Sequence, residues 1–151
     1  MTMTDLYLRV NDPYPLESAA FNGLHEFYVQ LRDGRLTTTR CRDCGKVYWP
    51  PRKFCPQCLS DGFDWMELPS EGRVHAFCVQ EAGVPQGFRS PLVFGVIELA
   101  GLRIFSQILC ADAKKIALGQ KVRFKPIEVE SEPGGERRFL HAFEPVGGDA
   151  L

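Results

Sequence analysis

The chain has neither a basic leader followed by an apolar stretch nor a run of roughly 18 apolar residues. Its expected setting is therefore the cytoplasm, without a membrane partner. It also lacks the short signatures of self-contained catalysis, with no Gly-rich phosphate loop, no nucleophile accompanied by a base, and no flavin or second redox motif. Histidine is scarce, at three residues. His25 falls in a helical stretch, and His75 and His141 fall in strand-like stretches without a neighbouring acid or nucleophile in sequence, so each reads first as a packing or surface residue. A large charge excess is missing too: the formal net charge is -1, which argues against a phosphate backbone as the main partner. No internal repeat or low-complexity tract occurs.

What is present begins with cysteine. Of the six in the chain, four form two pairs, Cys41-Arg-Asp-Cys44 and Cys55-Pro-Gln-Cys58, with ten residues between them. A Cys-x-x-Cys turn presents two sulfurs from one tight knuckle, so two such turns complete a tetrahedral shell for Zn2+. In a reducing compartment this spacing favours metal over disulfides. Gly45 follows the first pair, where positive φ lets backbone N–H groups turn toward the sulfurs. A closed four-sulfur shell leaves no open position for Lewis-acid chemistry, so the expected role of the metal is structural. Iron in the same shell would instead give an electron carrier. Cys78 and Cys110 lie in or at the end of strand-like stretches and read as buried structural thiols.

Four thiolates around a dication carry a formal charge of -2. Arg40, Arg42, Lys46, Arg52 and Lys53 are the nearby cations, and they outnumber Asp43, Asp61 and Asp64 between residues 36 and 66. They either neutralise the cluster or also hold a ligand phosphate.

Before the ribbon, Leu16, Ala20, Leu24, Phe27, Tyr28 and Leu31 recur at spacings of three and four, which predicts an amphipathic helix from Pro15 to about Arg32 ending before Gly34. Its stripe packs on its own chain or docks on a partner. Short strands over Leu36 to Arg40 and Lys46 to Trp49 flank the first knuckle, and Phe63 to Glu67 leads into the next module. From Gly72 the pattern becomes strands separated by turn signals: Val74 to Gln80, Leu92 to Leu99, Leu102 to Leu109, Lys121 to Val129 and Phe139 to Pro145. Ala100-Gly101 and Glu132 to Glu136 read as hairpin turns, and Ala113 to Leu118 as a helical turn closed by Gly119. Five strands with a small helix between the third and fourth are the pattern of an OB-type barrel. Phe77, Phe94, Phe105 and Phe124 are expected in its core.

The expected fold class is thus mainly β: an N-terminal helical segment (1–35), a rubredoxin-like zinc ribbon (36–68), a five-stranded OB-fold barrel (69–146) and a tail (147–151). The helix, the approach into Cys41-x-x-Cys44-Gly45, and Pro50-Pro51-Arg52 before Cys55-Pro56-x-Cys58 resemble the bacterial and archaeal zinc-ribbon/OB-fold proteins that accompany thiolases, long filed as a domain of unknown function. Glu71-Gly72-Arg73-Val74, Phe94-Gly95-Val96-Ile97-Glu98-Leu99 and Leu118-Gly119-Gln120-Lys121-Val122 extend the resemblance, which runs from about Phe21 to Pro145.

The resemblance implies a non-catalytic subunit of a thiolase-type or thiolase-like aldolase complex acting on an acyl-CoA. A larger partner supplies the catalytic cysteine and histidines, and the barrel helps shape the CoA region. The chain has no distinctive CoA motif. The candidate donors to a CoA phosphate are Arg52, Lys53 and Arg89, the last in the Gly83 to Ser90 loop, although a plain solvated arginine is the simpler reading of Arg89. Two rivals stand beside this: a single-strand nucleic-acid-binding zinc-ribbon/OB module, and an independent enzyme using His75, Cys78 and His141.

Overall fold

The computed structural model describes residues 23–85, 88–129 and 138–147. It is mostly β with one helix. The helix α1, His25–Arg32, is the C-terminal part of the expected amphipathic segment; the positions before 23 lie outside the described residues. Phe27, Gln30 and Leu31 form its buried stripe, at the three-and-four spacing that puts side chains on one helical face. It ends as Gly34 takes φ +78° and donates to the Leu31 carbonyl, the glycine C-cap expected there.

The ribbon sheet places β1 (Thr37–Cys41) between β2 (Val47–Tyr48) and β3 (Phe63–Glu67), with both pairings antiparallel. Thr37, Thr38 and Thr39 are all buried. Thr38 donates to the Tyr48 carbonyl, and the Thr39 hydroxyl accepts from the Arg52 amide at 2.8 Å. The central strand thereby ties down the segment that leads to the second knuckle.

The barrel is formed by β4 (Glu71–Gln80), β5 (Leu92–Leu99), β6 (Leu102–Ile108), β7 (Lys121–Phe124) and β10 (Ala142–Pro145), closed in the order β10-β6-β5-β4-β7. In chain order its strands therefore neighbour one another as first, second, third, fifth and fourth. The third and fifth are parallel and the fourth closes on the first, which is the OB-type barrel. Ala100 and Gly101 both take positive φ in the β5–β6 hairpin, as a type I′ turn requires.

The expected fourth strand is two strands, β7 and β8 (Ile127–Val129), because Pro126 between them has no N–H to donate. The expected fifth strand divides similarly into β9 (Arg138–Leu140) and β10, and β8 pairs with β9 outside the barrel. The expected turn at Glu132 to Glu136 lies outside the described residues. Between β6 and β7 the helical turn is one turn of 3₁₀ helix, Ala113–Lys115, with the Asp112 carboxylate accepting from the Lys114 amide at 3.0 Å.

Barrel residues Val74, Val93, Ile97, Ile104, Ile108, Val122 and Phe143 share one apolar core with Phe27, Leu31, Leu36 and Leu68. A Cβ on Gly72 would lie 2.7 Å from the Glu98 carbonyl oxygen, and one on Gly95 would lie 2.5 Å from Ile108 Cδ1. Gly72 and Gly95 are therefore close-approach positions, where a side chain has no room.

Several expectations about side chains are corrected, including Phe94, half-buried and outside the core, and Cys110, only partly buried. Phe105 is not in the core but 62% exposed, and it stacks on the half-buried Phe94 with ring centroids 5.4 Å apart. Phe77 is only partly buried at the core edge. Cys78 is exposed rather than buried. A register shift between Val74 and Ala76 reverses the inside–outside alternation of β4, turning Phe77 inward and Cys78 outward.

Candidate metal centre and adjoining cleft

The two knuckles bring Cys41, Cys44, Cys55 and Cys58 together, with all four sulfurs within 4.8 Å of one another. Cys41 and Cys58 are 3.6 Å apart, and Cys44 and Cys55 3.5 Å. A zinc ion with Zn–S bonds of about 2.3 Å separates tetrahedral sulfurs by about 3.8 Å, so the donor set fits such an ion in type, number and spacing.

The knuckles are built alike. Cys41 N–H donates to the Lys46 carbonyl and Gly45 N–H to the Cys41 carbonyl; Cys55 N–H donates to the Ser60 carbonyl and Leu59 N–H to the Cys55 carbonyl. Gly45 has φ +71° and Leu59, at the equivalent position, φ +60°. The first cysteine of each pair is buried and the second exposed.

The local field suits thiolates. Amide N–H groups of Cys44 and Asp43 point at the Cys41 sulfur and lower its pKa. Burial raises the Cys55 thiol, but hydrogen bonds from the Tyr48 hydroxyl and from the Cys58 and Gln57 amides outweigh it and bring it down to about 6. For Cys44 and Cys58 the Lys46 and Ser60 amides also favour the anion. Burial and the neighbouring cysteines prevail, raising both thiols, Cys58 to about 12. Four sulfurs this close ionise together only around a cation. Tyr48, 3.4 Å from the Cys55 sulfur, is a contributor that the spacing of the cysteines does not reveal.

The expected neutralising cations are distributed unevenly. Arg40 donates to the Gly45 carbonyl at 3.2 Å and Lys46 to Gln57 at 2.6 Å, so both tie down the knuckles. Arg42 pairs with Asp64 at 2.8 Å. Arg52 and Lys53 are exposed, and among the described residues neither is paired with a carboxylate.

Arg89 lies elsewhere, at a cleft of about 470 Å³ beside the barrel, whose lining includes Phe88, Val93, Gln107, Ile108, Cys110 and Ile127 but neither Arg52 nor Lys53. The three candidate phosphate donors therefore do not line one pocket. Gln107 was not legible as a cleft-lining residue; its Oε1 atom is buried without a hydrogen-bond partner among the described residues. Cys110 lines the cleft as well, with a thiol raised by burial and then by the Asp112 carboxylate.

The other titratable candidates are dispersed. His75 faces Glu98 at 3.7 Å on the barrel surface. His141 sits against Trp49, with ring centroids 5.2 Å apart, and Phe27, at 6.4 Å, while its Nε2 lies 2.9 Å from the Phe105 carbonyl. Burial holds its pKa below the usual range. The contacts of His75 and His141 thus involve neither each other nor Cys78.

Residues 30–64 match the family described as the ChsH2 rubredoxin-like zinc ribbon domain, and residues 65–125 the ChsH2 C-terminal OB-fold domain. The chain is 32% identical over 105 residues to a DUF35 domain-containing scaffold protein of Methanothermobacter thermautotrophicus, covering 66% of this chain and 78% of the relative. It is 35% identical over 80 residues to the benzoylsuccinyl-CoA thiolase subunit BbsA of Thauera aromatica, covering 50% and 55%. Among solved structures, a chain of the Ltp2-ChsH2(DUF35) aldolase superimposes with a TM-score of 0.69 at 26% identity, covering 80% of this chain and 92% of that one. A DUF35 protein of unknown function from Sulfolobus solfataricus, at 11% identity and a TM-score of 0.56, shares the fold.

Proposed function

This chain belongs to the ChsH2-type (DUF35) family, and from that membership we propose that it is a non-catalytic subunit of a thiolase-type complex that makes or breaks a carbon–carbon bond in an acyl-CoA. The observation that carries the reading is the match of both modules to a family whose relatives include a thiolase subunit and one component of an aldolase. In this reading Cys41, Cys44, Cys55 and Cys58 hold one structural Zn2+, which supplies a cross-link and no reacting group. The modules divide as 1–35, 36–68, 69–146 and 147–151. Catalytic residues reside on the larger partner, and the complex is cytoplasmic; no helix of the described residues is long and apolar enough to cross a membrane.

The CoA thioester contacts this subunit at the partner interface. Arg89 in the lining of the cleft beside the barrel supports a role in receiving a phosphate. Arg52 and Lys53 are the alternative phosphate donors. The decisive experiment is a thiolysis assay of this chain, the larger subunit, and both together. Activity is expected only from the pair, and full activity of the larger subunit alone would reject the proposal. Arg89→Ala should raise KM for the acyl-CoA with little change in kcat.

One observation favours a second reading, binding of single-stranded nucleic acid: the exposed Phe94–Phe105 stack offers a platform for bases. Salt-sensitive micromolar binding of an oligonucleotide, lost in Phe105→Ala, would establish it.

A further inference from the structure

The second knuckle carries a conformational cost that the first avoids. At the fourth position after the leading cysteine, both loops turn through the left-handed region, at φ +71° for Gly45 and φ +60° for Leu59. Glycine adopts this region freely, whereas a side chain with a Cβ crowds the following carbonyl. Beyond the hydrogen bond of its N–H to the Cys55 carbonyl, Leu59 buries little surface in return. Leu59 is 81% exposed, and Phe54, the residue directly before Cys55, is 60% exposed. A strained backbone carrying an unburied apolar side chain is a pairing found at recognition surfaces.

Charge narrows the occupant. Arg52 and Lys53 directly precede Phe54, both are exposed, and among the described residues neither has a carboxylate partner. The complementary surface is thus an apolar recess rimmed by acidic groups. A branched aliphatic side chain has no face on which a base can stack, so Leu59 at the tip matches a protein pocket better than a nucleic-acid strand. We infer that the Cys55–Cys58 knuckle is a docking tip, with Phe54 and Leu59 inserting into an acid-rimmed apolar pocket of the larger thiolase-type subunit and Arg52 and Lys53 engaging its rim. This inference rests on the proposed complex and names the surface that forms it.

The test uses the full chain, affinity-tagged and purified from its own host, with the co-purifying thiolase-type protein as the probe. Leu59→Gly relaxes the backbone and removes the aliphatic group. Leu59→Asn removes it while keeping a residue that tolerates the left-handed region. Phe54→Ser removes the second anchor. Leu59→Gly should raise the melting temperature of the isolated chain by about 3 °C, yet each of the three variants should weaken association with the thiolase-type protein by about tenfold or more. Association of wild type should also weaken as salt rises.

Unchanged affinity in all three variants, with the complex intact, would overturn the docking tip and leave the proposed function standing. Absence of any thiolase-type protein bound to wild type would overturn both. A single-stranded oligonucleotide bound by wild type and lost in Phe54→Ser, with association to the thiolase-type protein unaltered, would assign the tip to nucleic acid instead.

Discussion

Substituting Gly95 by alanine tests whether its missing side chain is a packing requirement. The added methyl would lie 2.5 Å from Ile108 Cδ1, 3.2 Å from Ile108 Cγ1 and 3.0 Å from the Ala76 carbonyl oxygen. Ile108 is only 2% exposed, so its δ-methyl has little freedom to retreat without distorting the core or entering the cleft it lines. Overpacking of this kind costs about 1–3 kcal/mol. Ile108→Val deletes the offending methyl and alone costs about 0.5–1.5 kcal/mol through lost packing. If the two positions were independent, the double variant would lose the sum, about 1.5–4.5 kcal/mol. If the 2.5 Å contact is the cause, the double variant should be little worse than Ile108→Val. The remaining 3.0 and 3.2 Å contacts then ask only for shifts of a few tenths of an ångström. Urea unfolding of the zinc-loaded chain, followed by circular dichroism with unchanged m-values, measures the cycle. Additivity within about 0.5 kcal/mol would refute the argument.

The metal centre predicts one zinc per chain by elemental analysis, lost together with the fold of the ribbon in Cys55→Ala; full occupancy in that variant would refute the four-sulfur site. Tyr48→Phe removes the hydroxyl 3.4 Å from the Cys55 sulfur and should weaken zinc binding by about tenfold in chelator competition, whereas an unchanged affinity would exclude its support of the thiolate. Two groups add to the acid limb of stability beside the loss of metal as the thiolates protonate. Burial depresses His141 in the folded state, so the unfolded chain takes up that proton more readily, and stability should fall as pH drops below about 6.5. Glu71 is lowered by hydrogen bonds from Lys121 and then Arg123. It should add a further loss as pH falls through the carboxylate range near about 4.3. In melting-temperature profiles, His141→Asn should flatten the first fall and Glu71→Gln the second; persistence of either fall in its variant would refute that assignment.

Local chemistry was the readable part of this sequence. Cysteine spacing, Gly45 and the Ala100-Gly101 turn each express a constraint that acts within a few residues, and the Val-, Ile- and Phe-rich strands separated by turn signals were enough for the barrel. Facing was not readable wherever two apolar residues adjoin. On β6, Ile104 and Phe105 both qualify for the core, and the choice depends on a distant partner: Ser106 sits opposite Gly95, a small-against-small pair that leaves space for Ile108 and turns Phe105 outward. On β4 the register shift between Val74 and Ala76 keeps Phe77 at the core edge and turns Cys78 outward, an effect without a local composition signal. Arg52, Lys53 and Arg89 could be proposed together because sequence gives charge without position; the cleft separates Arg89 from the other two.

The proposed role asks the chain to hold its own parts at a fixed angle, and the junction between ribbon and barrel is packed in a way that supports it. Phe27 from α1, Trp49 from the ribbon and His141 from the barrel side meet edge to face, with centroids 5.2 to 6.4 Å apart, and Leu68 N–H donates to the Leu36 carbonyl at 2.8 Å across the chain crossing. Aromatic packing of this kind adds to burial and restricts rotation. His141 also lies 2.9 Å from the barrel's Phe105 carbonyl, so the ribbon meets the barrel through half-buried ring contacts. Under the proposed function, this packing and the four-cysteine clamp would fix the ribbon relative to the barrel, which is the property a positioning subunit needs.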